Sequence, residues 1–292
     1  MDIARYKAFV AASESNTISK AAELLNYTPS GVSQLIQALE SELNLHLLVR
    51  NKKGVVLTSD GKRILPAVRS LLQQEERIFQ IANDINGLSA GHISIATYSS
   101  IATHWLPKVI RDFKRDYPQI EIELREGIRS EVMNWLSQFK ADIGFLSYQG
   151  SMPYDWIPMG VDPLIAILPR THPLASSEHY PVENIPNENF IMPAMGHDED
   201  VVPIFEQHNI VPKIQYSTIE TFTALSLIEN GLGMTVTNAL ITKGWQCDVV
   251  MLPLSPPTEI TLGAAVPSLE NASPAVKKFL EYAARIVKEL PD

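Results

Sequence analysis

At 292 residues, 45% of them apolar, the chain exceeds one average domain of about 100 to 200 residues and can fill two or three cores. No apolar run approaches the roughly 20 residues of a membrane-spanning helix, and the start MDIARYKAFV carries charges where a secretion signal has its apolar centre, so a cytoplasmic protein is expected. The single cysteine, Cys247, excludes an internal disulfide, a Cys-rich zinc site and a paired-thiol switch. A formal net charge of −9 would argue against a nucleic-acid binder if it were evenly spread, but residues 1 to 69 hold nine basic against six acidic side chains, a surplus of +3 that leaves −12 on the remainder. One module is suited to meet phosphate, and the rest is not.

Ile18, Ala21, Ala22 and Leu25 recur at the spacing of one helix face behind a Thr17 cap, and the small alanines admit a close neighbour. Thr28 caps a second helix with Pro29 in its first turn. There Val32, Ile36, Leu39 and Leu43 form the apolar stripe, and Ser30, Ser33, Gln34 and Gln37 a polar one without a carboxylate. Such a pair is either a structural hairpin or a helix-turn-helix whose second helix enters the major groove of double-stranded DNA. LHLLVRNKKGVVLTSDG adds two short strands around a basic turn, a wing tipped by Arg50, Lys52 and Lys53, and Asn44 stands where the second helix needs a left-handed residue.

FVAASESNTISKAAELLNYTPSGVSQLIQALESELNLHLLVR, followed by LTSDG, resembles the N-terminal winged helix-turn-helix of LysR-type transcriptional regulators. The paired alanines, Ser33, Ile36, Leu39-Glu40, Arg50 and Leu57-Thr58…Gly61 carry the match. Asn44 replaces the usual glycine, Leu48 and Val49 flank a position commonly aromatic, and Gln34 and Gln37 fill places often basic. The resemblance implies DNA contacts from Thr28, Pro29, Ser30, Ser33, Gln34, Gln37, Arg50, Lys52 and Lys53.

Residues 59 to 88 read as a helix in which Ile64, Val68, Leu71, Ile78, Ala82 and Ile85 suit a coiled-coil seam. Pro66 should kink it or delay its start. The helix packs on its own domain or, as the resemblance implies, is the family's dimerising linker. Gly87 and Ser89-Ala90-Gly91 then supply a break.

Beyond it, strands alternate with helices: HISIATY, SSIATHWLPKVIRDFKRDYP, QIEIELREG, a helix through Trp135, ADIGFLS, LIAILP, NFIMPA, KIQYS, TIETFTALSLIENG, GMTVTN, ITLGAAVP and a last helix ending near Leu290. The pattern predicts an α/β body with largely parallel sheets. DYPQIEIELREG, ADIGF, THPLA and ENGLGMTVTN resemble the same family's effector domain, which is built like a periplasmic binding protein of two lobes. The expected division is 1–60 for the winged helix-turn-helix, 61–90 for the linker and 91–292 for the effector domain, with lobe I at 91–161 and 267–292 and lobe II at 162–266. Ligand is expected in the cleft between lobes.

Ser99, Ser100 and Ile101 open a helix after the first strand of the body, where hydroxyls and free N–H groups serve a ligand or merely cap. The resemblance turns this toward effector contact, and sets Gly127, Ile128, Ser147, Met195 and Thr218 in comparable places. MPAMGHDED crowds Asp198, Glu199 and Asp200 before a helix, where they serve the dipole or, pointing inward, favour a ligand with a cationic group. His197 reads as exposed rather than metal-bound.

HExxH, GxSxG and P-loop patterns are absent from the sequence, so neither an enzyme nor a cofactor is expected. Oxidation of Met192, Met195 or Met234 is the only redox sensing chemistry left. The reading is a sequence-specific, effector-responsive transcriptional regulator acting as a homo-oligomer, dimer or tetramer, and its implied partners are an operator, a small molecule, other copies of itself and RNA polymerase. The alternative is a DNA-binding repressor or architectural protein that senses nothing.

Overall fold

The computed structural model describes residues 2–51, 54–85, 91–150 and 152–290. The chain forms two compact units, one of residues 1–89 with 137–141, the other of residues 90–136 with 142–292.

The first unit begins with α1 (Ile3–Ser15), α2 (Ile18–Leu25) and α3 (Pro29–Leu43). Thr17 and Thr28 cap α2 and α3 as their positions suggest, accepting from the amides of Lys20 and Gly31, and Pro29 opens α3. Asn16, Asn26 and Asn44 close the three helices in the left-handed conformation that Asn tolerates. Ala8, Ala12, Ala21 and Ala22 are fully buried beside Val32 and Ile36, so the helices approach where only methyl groups intervene. The wing is the antiparallel pair β1 (Leu48–Asn51) and β2 (Gly54–Leu57). Lys52 and Lys53 lie outside the described residues.

α4 (Ser59–Ile85) is capped by the Thr58 hydroxyl, which accepts from the Gly61 amide at 2.9 Å. It starts on time and runs through Pro66, eight positions in, rather than starting late. The apolar seam divides along its length. Leu65 and Val68 are buried, and Ile64, Leu71 and Leu72 pack against the same core of Tyr6, Phe9, Leu39 and Leu47. Ile78 and Ile85 are 67% and 78% exposed, with Phe79 and Ile81 exposed beside them. The proposed hinge at Gly87, Ser89 and Ala90 lies outside the described residues.

The second unit runs β3 (Gly91–Thr97), α5 (Ser99–His104), α6 (Leu106–Asp116), β4 (Ile120–Glu126), α7 (Arg129–Ser137), β5 (Ile143–Ser147), β6 (Asp155–Pro169), β7 (Tyr180–Pro181), β8 (Asn189–Met192), α8 (Val202–His208), β9 (Lys213–Ser217), α9 (Thr221–Glu229), β10 (Thr235–Asn238), β11 (Val249–Ser255), β12 (Glu259–Val266) and α10 (Pro274–Lys288). The main sheet has the order β4-β3-β5-β12-β6-β11-β7, with β10 also on β6. It is mixed, which corrects the expectation of largely parallel strands. β3 pairs in parallel with β4 and β5, but β12 is antiparallel to β5 and β6, and β6 is antiparallel to β10 and β11. The cause is β6 itself, one long strand that lies on β12 over residues 155 to 163 and on β10 and β11 over residues 164 to 169. The chain comes back through β11 and β12, so both crossing strands oppose their neighbours. One core gathers Phe113, Phe145, Phe279 and Ile93, and a second gathers Phe190, Tyr180, Phe205 and Val236.

Gly54 tests the wing's seating. Its φ is +123°, and a Cβ there would stand 2.2 Å from the Asn16 carbonyl oxygen, beside the bond that the Val55 amide donates to that oxygen. Gly54→Ala should destabilise the first unit by more than the roughly 1–3 kcal/mol of backbone strain alone. Gly231→Ala, at φ +72° in open space, is the comparison that keeps only the strain. Equal drops in thermal midpoint for the two full-length variants would disprove the close approach.

Candidate DNA-binding face and effector cavity

On α3, Ser30, Gln34 and Gln37 are exposed, along with Thr28 and Pro29 at its start. Ser33 is half-buried and engaged. Its hydroxyl donates to the Pro29 carbonyl at 2.9 Å and accepts from Arg50 Nη2 at 3.0 Å. The structure thus brings Arg50 of β1 onto the polar stripe of α3, while the amides of Gln34 and Gln37 make no hydrogen bond among the described residues. Thr28 also contacts Ser30 Oγ at 3.1 Å, so its hydroxyl serves the cap. Glu40, part of the matched Leu39-Glu40 pair, has a role not expected of it: its Oε1 accepts from the amides of Leu47 and Leu48 at 2.6 and 3.1 Å and anchors the wing to α3. A carboxylate eight residues before a strand carries no sequence signal of that bond.

The second unit contains a cavity of about 400 Å³, within the ordinary range for small-molecule sites. Ser99 and Ser100 at the start of α5 and Gly127 and Ile128 between β4 and α7 line it. Ile101 does not, being fully buried in the core that surrounds Phe113. Ser147 stands one layer behind, buried, touching the Tyr98 hydroxyl at 3.2 Å and donating to Asp200. Met195, 67% exposed on a turn of positive φ, is outside the lining, as is Thr218, whose neighbours Ile219, Glu220 and Thr221 are inside it. Asp198, Glu199 and Asp200 line the cavity, with the exposed His197 next to them.

Arg129 organises this wall and was not singled out from the sequence. It is 8% exposed at the first residue of α7. Its Nη1 donates to the Ser147 carbonyl at 2.6 Å and to the Ser147 hydroxyl at 3.2 Å, and its Nε lies 3.1 Å from a Glu199 oxygen. Gln149 donates to Asp200 at 3.0 Å. Asp198 accepts from the amides of Asp200 and Val201 at 2.8 and 3.3 Å, yet burial, and then the charges of Asp200 and Glu199, push its carboxyl up to about 6. Burial likewise drives the Tyr98 phenol far above its ordinary value. Among the described residues no group of His, Cys, Asp and Glu has the arrangement of a metal site, and no helix is long and apolar enough to cross a membrane.

A folded carboxyl raised above its unfolded value stabilises the fold below the unfolded value, and that contribution is lost as pH rises through the folded one. For Asp198 the loss spans pH 3.8 to about 6. Asp198→Asn keeps an oxygen acceptor and removes the charge, so its stability relative to the unsubstituted chain should improve by about 1–3 kcal/mol between about pH 4 and pH 8. Thermal unfolding of both proteins across that range checks this, and a difference independent of pH would refute it.

Residues 86–287 match the family model described as LysR substrate binding domain, and residues 3–62 the model described as bacterial regulatory helix-turn-helix protein, lysR family. The HTH-type transcriptional regulator YvbU of Bacillus subtilis strain 168 is 33% identical over 97% of this chain and 98% of its own. A full-length OxyR variant from Pseudomonas aeruginosa has the same fold, with a TM-score of 0.79 at 18% identity over 99% of this chain and 95% of that one. So has full-length CbnR, in a structure described as complexed with its target DNA, with a TM-score of 0.67 at 19% identity over 98% and 99%. With both family models matched and a relative aligned almost end to end, the chain belongs to the LysR family of helix-turn-helix transcriptional regulators.

Proposed function

We propose that this DNA-binding regulator reads its operator with the exposed stripe of α3 and the wing, and that a small molecule in the 400 Å³ cavity of residues 91–292 modulates it. The observation that carries the second half is the cavity itself, with Ser100, 3% exposed and its hydroxyl without a hydrogen-bond partner among the described residues, in its wall. Ser99, Gly127 and Ile128 contact the same molecule, and Ser147, Met195 and Thr218 act from outside the lining. In the head, Gln34 and Gln37 choose bases, Arg50, Lys52 and Lys53 hold backbone or minor groove, and Ser33 orients Arg50. Thr28, Pro29 and Ser30 present the amide end of α3 to phosphate. Residues 1–60 form the head and 61–90 the linker, and the protein works in the cytoplasm with RNA polymerase as a further partner. Ile78, Phe79 and Ile85 in the outer half of α4 support assembly into dimers or tetramers through the linker, because an apolar stripe left in water favours a partner.

Arg50→Ala should weaken binding to every DNA sequence and reduce the magnitude of the salt slope by about one. Gln34→Ala should change sequence preference with little change in that slope. Titration of labelled operator and unrelated duplexes over a salt series measures both, and an unchanged slope for Arg50→Ala removes the wing from the interface.

Ile78→Glu with Phe79→Glu would put charge into the proposed seam at a cost of several kcal/mol, without touching the core that holds Leu65 and Val68. Sedimentation should show smaller particles with reduced affinity for a two-half-site operator. Unchanged particle mass would move assembly away from the linker.

A further inference from the structure

The wall of the effector cavity is unbalanced in charge. Glu126, Glu131, Asp198, Glu199, Asp200 and Glu220 line it, against the guanidinium of Arg129 and the imidazole of His197. They come from the end of β4, the first turn of α7, the loop before α8 and the residue before α9, so negative charge faces the cavity from several sides. Arg129 is already matched by Glu199 at 3.1 Å. Glu131 accepts from the Ile128 amide, Asp198 from two backbone amides, and Asp200 from Ser147 and Gln149, bonds that hold the carboxylates without bringing positive charge. The side chains of Glu126 and Glu220 make no ion pair or hydrogen bond among the described residues. The carboxyl of Asp198 is raised first by burial and then by the charges of Asp200 and Glu199 beside it.

A cluster of acids is often no more than a solvated face, but this one surrounds a cavity that holds a second, independent feature. Ser100 is 3% exposed, lines the cavity, and its hydroxyl has no hydrogen-bond partner among the described residues. The small part of Ser100 that remains exposed opens on the cavity, where a ligand group can supply the bond its hydroxyl lacks. An anion entering here would satisfy Ser100 but face the carboxylates, of which Asp198, Glu199 and Asp200 are half-buried and so less screened by solvent. The α5 helix, six residues long, is too short for its end to offset them.

We propose that the effector is a small organic cation, an amine, amidine or guanidine, whose charge lies against this carboxylate wall while a hydrogen-bonding group of the same molecule meets Ser100. The inference rests on the reading of the cavity as an effector site. A cation there relieves repulsion between carboxylates on β4 and α7 and those before α8 and α9, so its binding free energy acts on the spacing of these elements, as a signal to the rest of the chain requires.

The test uses the full-length protein and three probes of similar length: agmatine as cation, adipamide as neutral analogue and adipate as anion, followed by isothermal titration at low and high salt. Agmatine should bind once per protomer, about tenfold or more tighter than the other two, and more weakly at high salt. Glu126→Gln with Glu220→Gln, changes at carboxylates that hold nothing else, should weaken agmatine by about tenfold and leave adipamide unaffected. Ser99→Trp, at an exposed position of the lining, should block the cavity to all three. Adipate binding more tightly than agmatine, and blocked by Ser99→Trp, would overturn the charge assignment while keeping the effector site. Agmatine binding that ignores both the charge variant and Ser99→Trp would place the cation elsewhere and sink the proposal. If no probe binds in the cavity at millimolar concentration, the effector reading falls together with it.

Discussion

A buried guanidinium has to be matched, and in this chain that requirement shapes the effector unit. Leaving one unpaired costs about 3–5 kcal/mol, so the elements around Arg129 are held where they can serve it. Its partners are the carbonyl and hydroxyl of Ser147, at the end of β5, and Glu199, in the loop before α8. Ser147 in turn contacts Tyr98 and donates to Asp200. One side chain therefore registers the end of β5, the residue before α5 and the acidic loop against one another. Ser99 and Ser100 follow Tyr98 directly, so the cavity wall takes its position from a bond two layers away.

The head relies on a different constraint, the distance of closest approach between backbones. Alanine at 8, 12, 21 and 22 lets α1, α2 and α3 meet through methyl groups, and left-handed asparagines at 16, 26 and 44 turn the chain without added length. The wing is then fixed by backbone groups. Val55 donates to the Asn16 carbonyl, the Leu47 and Leu48 amides donate to Glu40, and Thr58 donates to the His46 carbonyl while capping α4. Arg50 reaches Ser33 only because β1 is pinned at that height. The surface offered by α3 is thus as rigid as the turn and wing behind it, which suits readout by a few short side chains.

What the sequence revealed and what it hid divide along physical lines. Caps, the apolar stripe of α3 and strands such as β4 and β9 were legible because each is a local pattern with a period or a stop signal. The first half of β6 was not, since Pro158, Gly160 and Pro163 interrupt it. That half pairs only with β12, with a bulge opposite Leu262 and Gly263, and a strand with one free edge tolerates proline. Periodicity showed the stripe of α4 without showing what covers each part of it. Leu65 and Val68 serve the head, whereas Ile78 and Ile85 meet solvent. Arg129 was invisible because no local pattern marks a charge that will be buried. Met195 and Thr218 flank the cavity lining without entering it, since nearness along the chain to Asp198 and Ile219 says nothing of which way a turn faces.

The uneven charge of the chain has the same two-sided logic. A surplus of basic residues lies within the first 69 positions, and part of the acidic remainder lines one cavity, where Glu126, Glu131 and Glu220 are exposed and Asp198, Glu199 and Asp200 half-buried. Charge on an open surface is screened within about 8 Å at physiological salt, so it keeps a protein soluble and discourages wrong contacts with a polyanion but does little else. The same charge in a partly enclosed space is screened less, and at Asp198 burial, followed by the charges of Asp200 and Glu199, raises the carboxyl. Keeping such groups together costs stability that a purely structural loop has no reason to bear. Here the cost is held in check by Arg129, by backbone amides and by Ser147 and Gln149. Of those contacts only the one from Arg129 to Glu199 brings a positive charge to the wall, so the carboxylates keep their excess over cations despite the bonds that hold them.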